Sequence, residues 1–348
     1  MKPVLFLVTA GLTACAGLGA VACGNGDDTF SPPPPVTVAD GGADASKLTD
    51  ATLADAEGGE AGAEGDAGDA GLDGQTVTPT LALLRFANWS ADSPGIDFCV
   101  ARHGSGTFQG PILAMNAAAI NDAGNVDAGS GALPFPGVSA YLLMDPAQYD
   151  ARVVAAGSTD CTTAITQDAT GLPVLASGGF ETIALVGAAH PQNGESGLQV
   201  VAFQDELTNS VQGALLIRVI NAAVDVPMAE VGTLDTYFTP FLNPVAFGAS
   251  SAGGPMADPN GYIAELPIVS VTIAARASVA TLVGASMHTI LAQAPGISLM
   301  GNLSVTFVVV GANGQIEPDG GSVLAQILEC VDNAGTVGLA GTCHVISQ

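Results

Sequence analysis

One stretch of this chain is written twice, and that repetition limits the possible folds more than any other feature of the sequence. Setting residues 84–98 beside 217–231, at an offset of 133, aligns Arg85 with Arg218, Asn88 with Asn221, Asp92 with Asp225, Pro94 with Pro227 and Asp97 with Glu230 without a gap. Each copy opens on an apolar run, residues 81–87 or 214–220, and passes into a polar turn closed by Pro. Asn and Asp can hydrogen-bond local backbone in such a turn while Pro fixes φ. The pattern predicts one supersecondary unit used twice. Phe135 and Tyr141 find looser counterparts in Phe247 and Tyr262.

The segments after each copy of the motif alternate with period two, as in residues 149–154 and 269–273, which is the signature of a half-buried strand. Further strands are expected over 96–101, 180–186, 198–203, 288–292, 303–310 and 323–331, and no window reads as an amphipathic helix. Short strands broken by Gly, Pro and Asn turns predict an all-β chain with two tandem antiparallel β-sandwiches of immunoglobulin-like type. The first would span residues 80–210 and the second 211–348, with a single larger β-domain as the alternative. A chain of 348 residues is long enough for two such cores.

The motif in full, Arg85-Phe86-Ala87-Asn88-Trp89-Ser90-Ala91-Asp92-Ser93-Pro94-Gly95-Ile96-Asp97, resembles the opening of the bacterial domain of unknown function family 4397. That opening is an Asn/His-Ala-Ser-Pro-Asp-Ala-Pro-x-Val-Asp run after a strand. The second copy keeps Asn221, Asp225 and Pro227 but reads Ala222-Ala223-Val224 before the Asp. The resemblance extends over most of residues 80–335 in tandem. It implies secreted or cell-envelope β-domains, and it brings no catalytic residues with it.

The N-terminus points to export. Lys2 precedes an apolar stretch that ends in small residues, the layout of a signal peptide over residues 1–22. It closes on Ala20-Val21-Ala22-Cys23, which resembles the lipobox of bacterial lipoproteins and makes Cys23 the expected lipidation site; Leu12-Thr13-Ala14-Cys15 is the competing one. Several acyl chains, at about 0.8 kcal/mol per buried methylene, would give a permanent membrane anchor. Gly24 after the lipid Cys leans the location toward the outer rather than the inner membrane, by analogy with sorting rules in some bacteria.

Residues 23–79 carry a Pro run at 32–35 and Asp-Ala-Gly repeats, with no aromatic residue after Phe30. Such a segment buries too little apolar surface to offset its ordering entropy, so a disordered acidic stalk is expected. A shorter insert of the same vocabulary at residues 121–131 predicts a surface loop.

Charge excludes one class of partner. With 33 acidic and 7 basic side chains the net charge is −26, a field that repels phosphate backbones and leaves nucleic acid out. Twelve of the acids precede residue 79, so the rest of the chain still has 21 acids against five Arg. The expected partners are the membrane, through the lipid, and an envelope polymer or protein; oligomeric state is open, and no cofactor is expected.

Beyond the signal, Cys99, Cys161, Cys330 and Cys343 form an even set, and an oxidising compartment predicts disulfides. Pairing within each half is one of three connectivities. The spacing of the four His residues fits no zinc motif, and no metal is expected. The nearest approach to a nucleophile elbow, residues 284–288, lacks its second Gly. Asp92 with Asp97, and Asp225 with Glu230, are the carboxylate pairs open to calcium or to acid–base chemistry, with turn capping as the structural reading. Arg85 and Arg218 are expected to bond those acids or cross-strand neighbours, and Trp89 to serve as a binding platform or a packing anchor. A non-enzymatic binding or structural role follows, with an envelope hydrolase or calcium-dependent enzyme as the alternative.

Overall fold

In the computed structural model, which describes residues 81–116, 132–192, 195–206, 213–278, 289–311, 315–316, 322–334 and 343–347, nearly every regular element is a strand. The signal segment, Cys23, Cys15, the stalk, the 121–131 insert and the boundary at residue 210 lie outside the described residues. The first half contributes β1 (Ala82–Asn88), β2 (Ile96–Arg102), β3 (Leu142–Met144), β4 (Ala147–Ala155), β5 (Val174–Leu175), β6 (Phe180–Val186) and β7 (Gln199–Asp205), with one short helix, α1 (Ile112–Met115). These strands form two sheets, ordered β3-β1-β6-β7 and β2-β4-β5.

The second half contributes β8 (Leu215–Asn221), β9 (Met228–Leu234), β10 (Phe238–Pro240), β11 (Val245–Ala246), β12 (Ile263–Glu265), β13 (Ile268–Ala277), β14 (Thr289–Leu299) and β15 (Ser304–Val310). It continues with β16 (Gln315–Ile316), β17 (Ser322–Val323), β18 (Gln326–Val331) and β19 (Cys343–Val345). Its sheets are β12-β8-β15-β18-β19 and β10-β9-β13-β14 with β11 also on β9, besides the small β16-β17 ladder. The order β3-β1-β6-β7 thus recurs as β12-β8-β15-β18.

The sheets are not purely antiparallel. β1 pairs parallel with β6, Leu83 beside Phe180 through Asn88 beside Leu185, and β8 pairs parallel with β15 in the same way. A parallel pair needs a long crossover rather than a hairpin. Here the chain leaves β1 for the other sheet and returns many residues later. Period-two patterning reports which face a residue takes, not the direction of the neighbouring strand.

Alternation along these central strands sorts side chains into three cores. From β1 and β6, Leu84, Phe86, Ile183 and Leu185 point to the first sandwich's own core with Phe98 and Val153. From β8 and β15, Ile217, Val219, Val305 and Phe307 do the same in the second, with Val231 and Ile273. The opposite faces of both central sheets meet each other: Ala87, Trp89, Ala184, Val186 and Phe203 pack with Ile220, Val308, Val310 and Leu328. Four layers therefore stack within one compact unit, Gly74–Gln348. All seven residues of β1, of β8 and of β15 are buried, which accounts for the near-continuous apolar run Ser304-Val-Thr-Phe-Val-Val-Val310.

β9 is the long strand that the sequence pattern did not single out. Its Gly232 lies against β10, where a Cβ would collide with the Thr239 carbonyl. A side chain is excluded there by close backbone approach, and the missing side chain breaks the apolar alternation.

Candidate functional site

The repeated turn is built by its polar residues. Asn88, fully buried, donates from Nδ2 to the Leu133 carbonyl at 3.0 Å and accepts from the Ser90 amide and the Ser93 hydroxyl. Asn221 donates to the Val226 and Val245 carbonyls and accepts from the Ala223 amide. Pro94 and Pro227 close the two turns on the exposed side.

Asp92 accepts from the Ala189 amide at 2.7 Å and the His190 amide at 2.8 Å. Asp97 accepts from the Phe98, Leu113 and Ala114 amides, the last two at the start of α1. Burial raises the Asp97 pKa, and those amides offset part of the rise. Two of the four motif carboxylates are thus spent on backbone amides. Glu230 has a different use, accepting from Arg276 Nε at 2.6 Å, and Asp225 is half-buried at the second turn. The structure does not bring Asp92 together with Asp97 as a pair.

Arg85 and Arg218 take their carboxylates from elsewhere than the motif. Both lie on the seam-facing side of the central strands and are almost fully buried. Arg85 Nε donates to the cross-strand Thr182 hydroxyl at 2.7 Å, and Nη2 to Asp332 of the second half at 2.7 Å. Arg218 Nε donates to Thr306 at 3.0 Å, and its Nη2 to Asp205 of the first half. Each guanidinium also lies over a Tyr ring, Arg85 at 4.7 Å from Tyr141 and Arg218 at 4.6 Å from Tyr262.

The two acids are shared in the same reciprocal way. Asp205 accepts from Tyr141 at 2.8 Å and from Thr182 at 2.6 Å, while Asp332 accepts from Tyr262 at 2.7 Å and from Thr306. Arg85 stands 3.6 Å from Asp205, and Arg218 stands 3.9 Å from Asp332. Two cations and two anions thus close a neutral buried network in which each half supplies the other's carboxylate. Burial pushes the Asp205 carboxyl up, but Arg85 and Arg218 outweigh it and hold it below the ordinary range. Burial raises both Tyr hydroxyls far above their usual value, so they remain donors.

Thr182, Asp205, Thr306 and Asp332 were not legible as site residues. Their signal is weak but present: both Thr residues pair in register with the Arg of the neighbouring strand, and both Asp residues lie at the end of the last long strand of the repeat, Asp205 as the final residue of β7 and Asp332 just after β18. A gapped alignment carried beyond the motif would have matched them.

Trp89 is a packing residue, 2% exposed and 6.1 Å from the Phe203 ring at the seam. The four cysteines pair within each half, Cys99 with Cys161 and Cys330 with Cys343. The second disulfide borders the seam network, with Cys343 Sγ 3.7 Å from Arg85 Nη1.

Two exposed histidines accompany buried acids. His103 Nδ1 lies 2.7 Å from Asp150, which also accepts from the Gly171 and Gly104 amides, and His190 lies 3.5 Å from Asp92. Burial pushes the Asp150 carboxyl up, and the His103 contact with those amides brings it below its ordinary value. A separate cavity of about 290 Å³ opens at the ends of β6 and β7, lined by Leu175, Phe180, Gln204, Asp205, Glu206 and Asn260. Neither histidine lines it. Among the described residues no group of three or more His, Cys, Asp or Glu is placed to hold a metal ion. No described helix is long and apolar enough to cross a membrane.

No curated protein matches the chain. Among solved structures, the crystal structure of a "putative cell adhesion protein" from Bacteroides eggerthii is similar at 13% identity, over 77% of this chain and 95% of that one, with a TM-score of 0.15. From the start of β1 into β9, residues 82–231, the chain matches the model of the family described as Domain of unknown function (DUF4397).

Proposed function

We propose that this chain is an exported bacterial lipoprotein, anchored through Cys23, that displays a rigid pair of β-sandwiches as a non-enzymatic binding or structural module of the cell envelope. The observation that carries this reading is the seam. A buried reciprocal network between two halves of one chain fixes their relative orientation, as a scaffold that presents a surface requires. The signal-like N-terminus and acidic stalk of the sequence support display away from a membrane. In this reading the second half is a further copy of the family domain that the first half matches. The partner is an envelope polymer or protein and not nucleic acid, and the outer membrane is the favoured location.

The test is the intact mass of the mature protein extracted from membranes, alongside a Cys23→Ser variant. An N-terminus at Cys23 carrying acyl mass, and release of the variant into the soluble fraction, is the expected result. An unacylated start with unchanged fractionation would remove the anchor.

One observation favours a second reading, an envelope hydrolase. Asp150, 2.7 Å from His103 Nδ1, orients that exposed ring, and Ser105 lies two residues on. If that were the site, His103→Ala would abolish hydrolysis of p-nitrophenyl acetate by the purified chain; the binding-module reading expects no hydrolysis from either protein.

A further inference from the structure

The two central sheets match strand for strand up to one edge, where they differ. In the second half β19 covers β18, with Leu328 beside Val345, Glu329 beside His344 and Cys330 beside Cys343. The Ile346 amide extends this cover by donating to the Ile327 carbonyl at 2.9 Å. The backbone groups of Ile327, and by alternation those of Glu329 and Val331, therefore point to the covered side. In the first half the corresponding strand is β7, since Asp205 takes the place at the seam that Asp332 takes after β18. Its Val200, Ala202 and Gln204 then face the same side, and the donation of Arg218 Nη1 to the Gln204 carbonyl at 2.6 Å fits that direction.

Among the described residues no strand pairs with β7 on that side: it ends its sheet. Burial follows the difference, since Ile327, Leu328 and Glu329 are buried while Val200, Val201 and Ala202 are only half-buried. Side chains meet its two ends, Thr166 Oγ1 donating to the Leu198 carbonyl at 2.8 Å and Arg218 Nη1 to the Gln204 carbonyl, and the open stretch between them, Val200 to Ala202, is the kind of edge that proteins usually blunt with Lys, Pro, a bulge or a charge. β7 has none of these along Gln199-Val-Val-Ala-Phe-Gln204, and its seven-residue ladder with β6 runs without a register shift.

We propose that the free edge of β7 is a docking site for an extended segment of a partner protein, which adds as an antiparallel strand in the place that β19 occupies on β18 and carries basic rather than acidic residues. Main-chain hydrogen bonds to Val200 and Ala202 supply the attachment. Charge selects the occupant: past residue 79 the chain has 21 acids against five Arg, a field that draws a basic segment and repels an acidic one. A second copy of this chain brings the same acidic excess and is the poorer fit.

This inference rests on the binding-module reading and names the kind of partner. Its test uses the purified full chain, so failure at the edge leaves the anchoring test untouched. Amide hydrogen exchange is measured with the peptide Lys-Val-Thr-Val-Thr-Val-Lys, with its glutamate-flanked counterpart, and with a backbone N-methylated version that cannot donate. The lysine-flanked peptide is expected to slow exchange at Val200 and Ala202 by about tenfold, the glutamate-flanked peptide less, and the N-methylated one not at all. Absent protection at millimolar peptide, equal protection by the N-methylated peptide, or protection mapped away from β7 would overturn the site. Protection of the same amides that grows with protein concentration without peptide would overturn the occupant in favour of a second copy.

Discussion

The two halves of this chain agree where they touch each other and diverge where they face outward. Arg85 and Arg218, Thr182 and Thr306, Tyr141 and Tyr262, and Asp205 and Asp332 occupy equivalent places in one buried network. Away from the seam the equivalence lapses. Asp97 caps backbone amides whereas Glu230 pairs with Arg276, and the first half has there a disulfide of its own that ties Cys99 of β2 to Cys161. Glu181 of β6 occupies the position that Val305 holds in β15. A charge buried in a shared interface must find its partner in the other half, so both halves are constrained together. An outer edge carries no such requirement.

The sharpest way to break this comparison is to remove one arginine at a time. Arg85→Met and Arg218→Met each leave a buried Asp without its cation, and each is expected to cost about 3–5 kcal/mol in urea denaturation. Reciprocity requires the two losses to agree within about 1 kcal/mol. Adding Asp332→Asn to Arg85→Met should cost less than the sum of the single changes, with a coupling of about 1 kcal/mol or more. A near-zero loss for either Arg alone would mean that the seam does not join the halves.

Glu181 tests a difference instead. It is 2% exposed, and burial together with Asp205 pushes its pKa from 4.5 up to about 8. Between those values the folded chain holds a proton that the unfolded chain has lost, so this stabilisation is complete below pH 4.5 and falls away as the pH rises through 8. Glu181→Gln should therefore leave stability unchanged at low pH and raise it above pH 8 by on the order of 2 kcal/mol. Asp205 acts in the opposite sense: its lowered pKa gives stability that is present above the ordinary carboxylate range and lost as the pH falls through the folded value. Urea midpoints of wild type and variant across this range separate the two, and a midpoint shift from Glu181→Gln that does not depend on pH would remove the carboxyl from the account.

The smallest effects belong to the fifth position of the repeated motif. Asp97→Asn weakens three buried amide contacts and is expected to cost about 1–2 kcal/mol. Glu230→Gln loosens a partly exposed ion pair with Arg276 and should cost less than about 1 kcal/mol. Equal losses by thermal unfolding would show that the two turns are more alike than their hydrogen bonds indicate.

The sequence by itself determined the all-β class, the repeat and most of its long strands, because these are local properties. Alternation, turn residues and the aligned Arg, Asn, Asp and Pro positions can be seen within a dozen residues, and the strand expected over 180–186 is β6 from end to end. Asn88 and Asn221 are readable as turn builders through their local partners, Ser90 and Ser93 or Ala223 and Val226, whereas their bonds to the Leu133 and Val245 carbonyls belong to the fold. Tertiary structure alone decided that β1 lies parallel to β6, that both faces of the central strands are covered, and that Arg85 meets Asp332 rather than Asp92 or Asp97. Strand direction is set by how the chain returns across a sheet, and the partner of a buried charge is set by which surfaces meet. Arg85 and Asp332 are 247 residues apart. Only the stacking of the two halves brings them together, in a core where neither charge could remain unpaired.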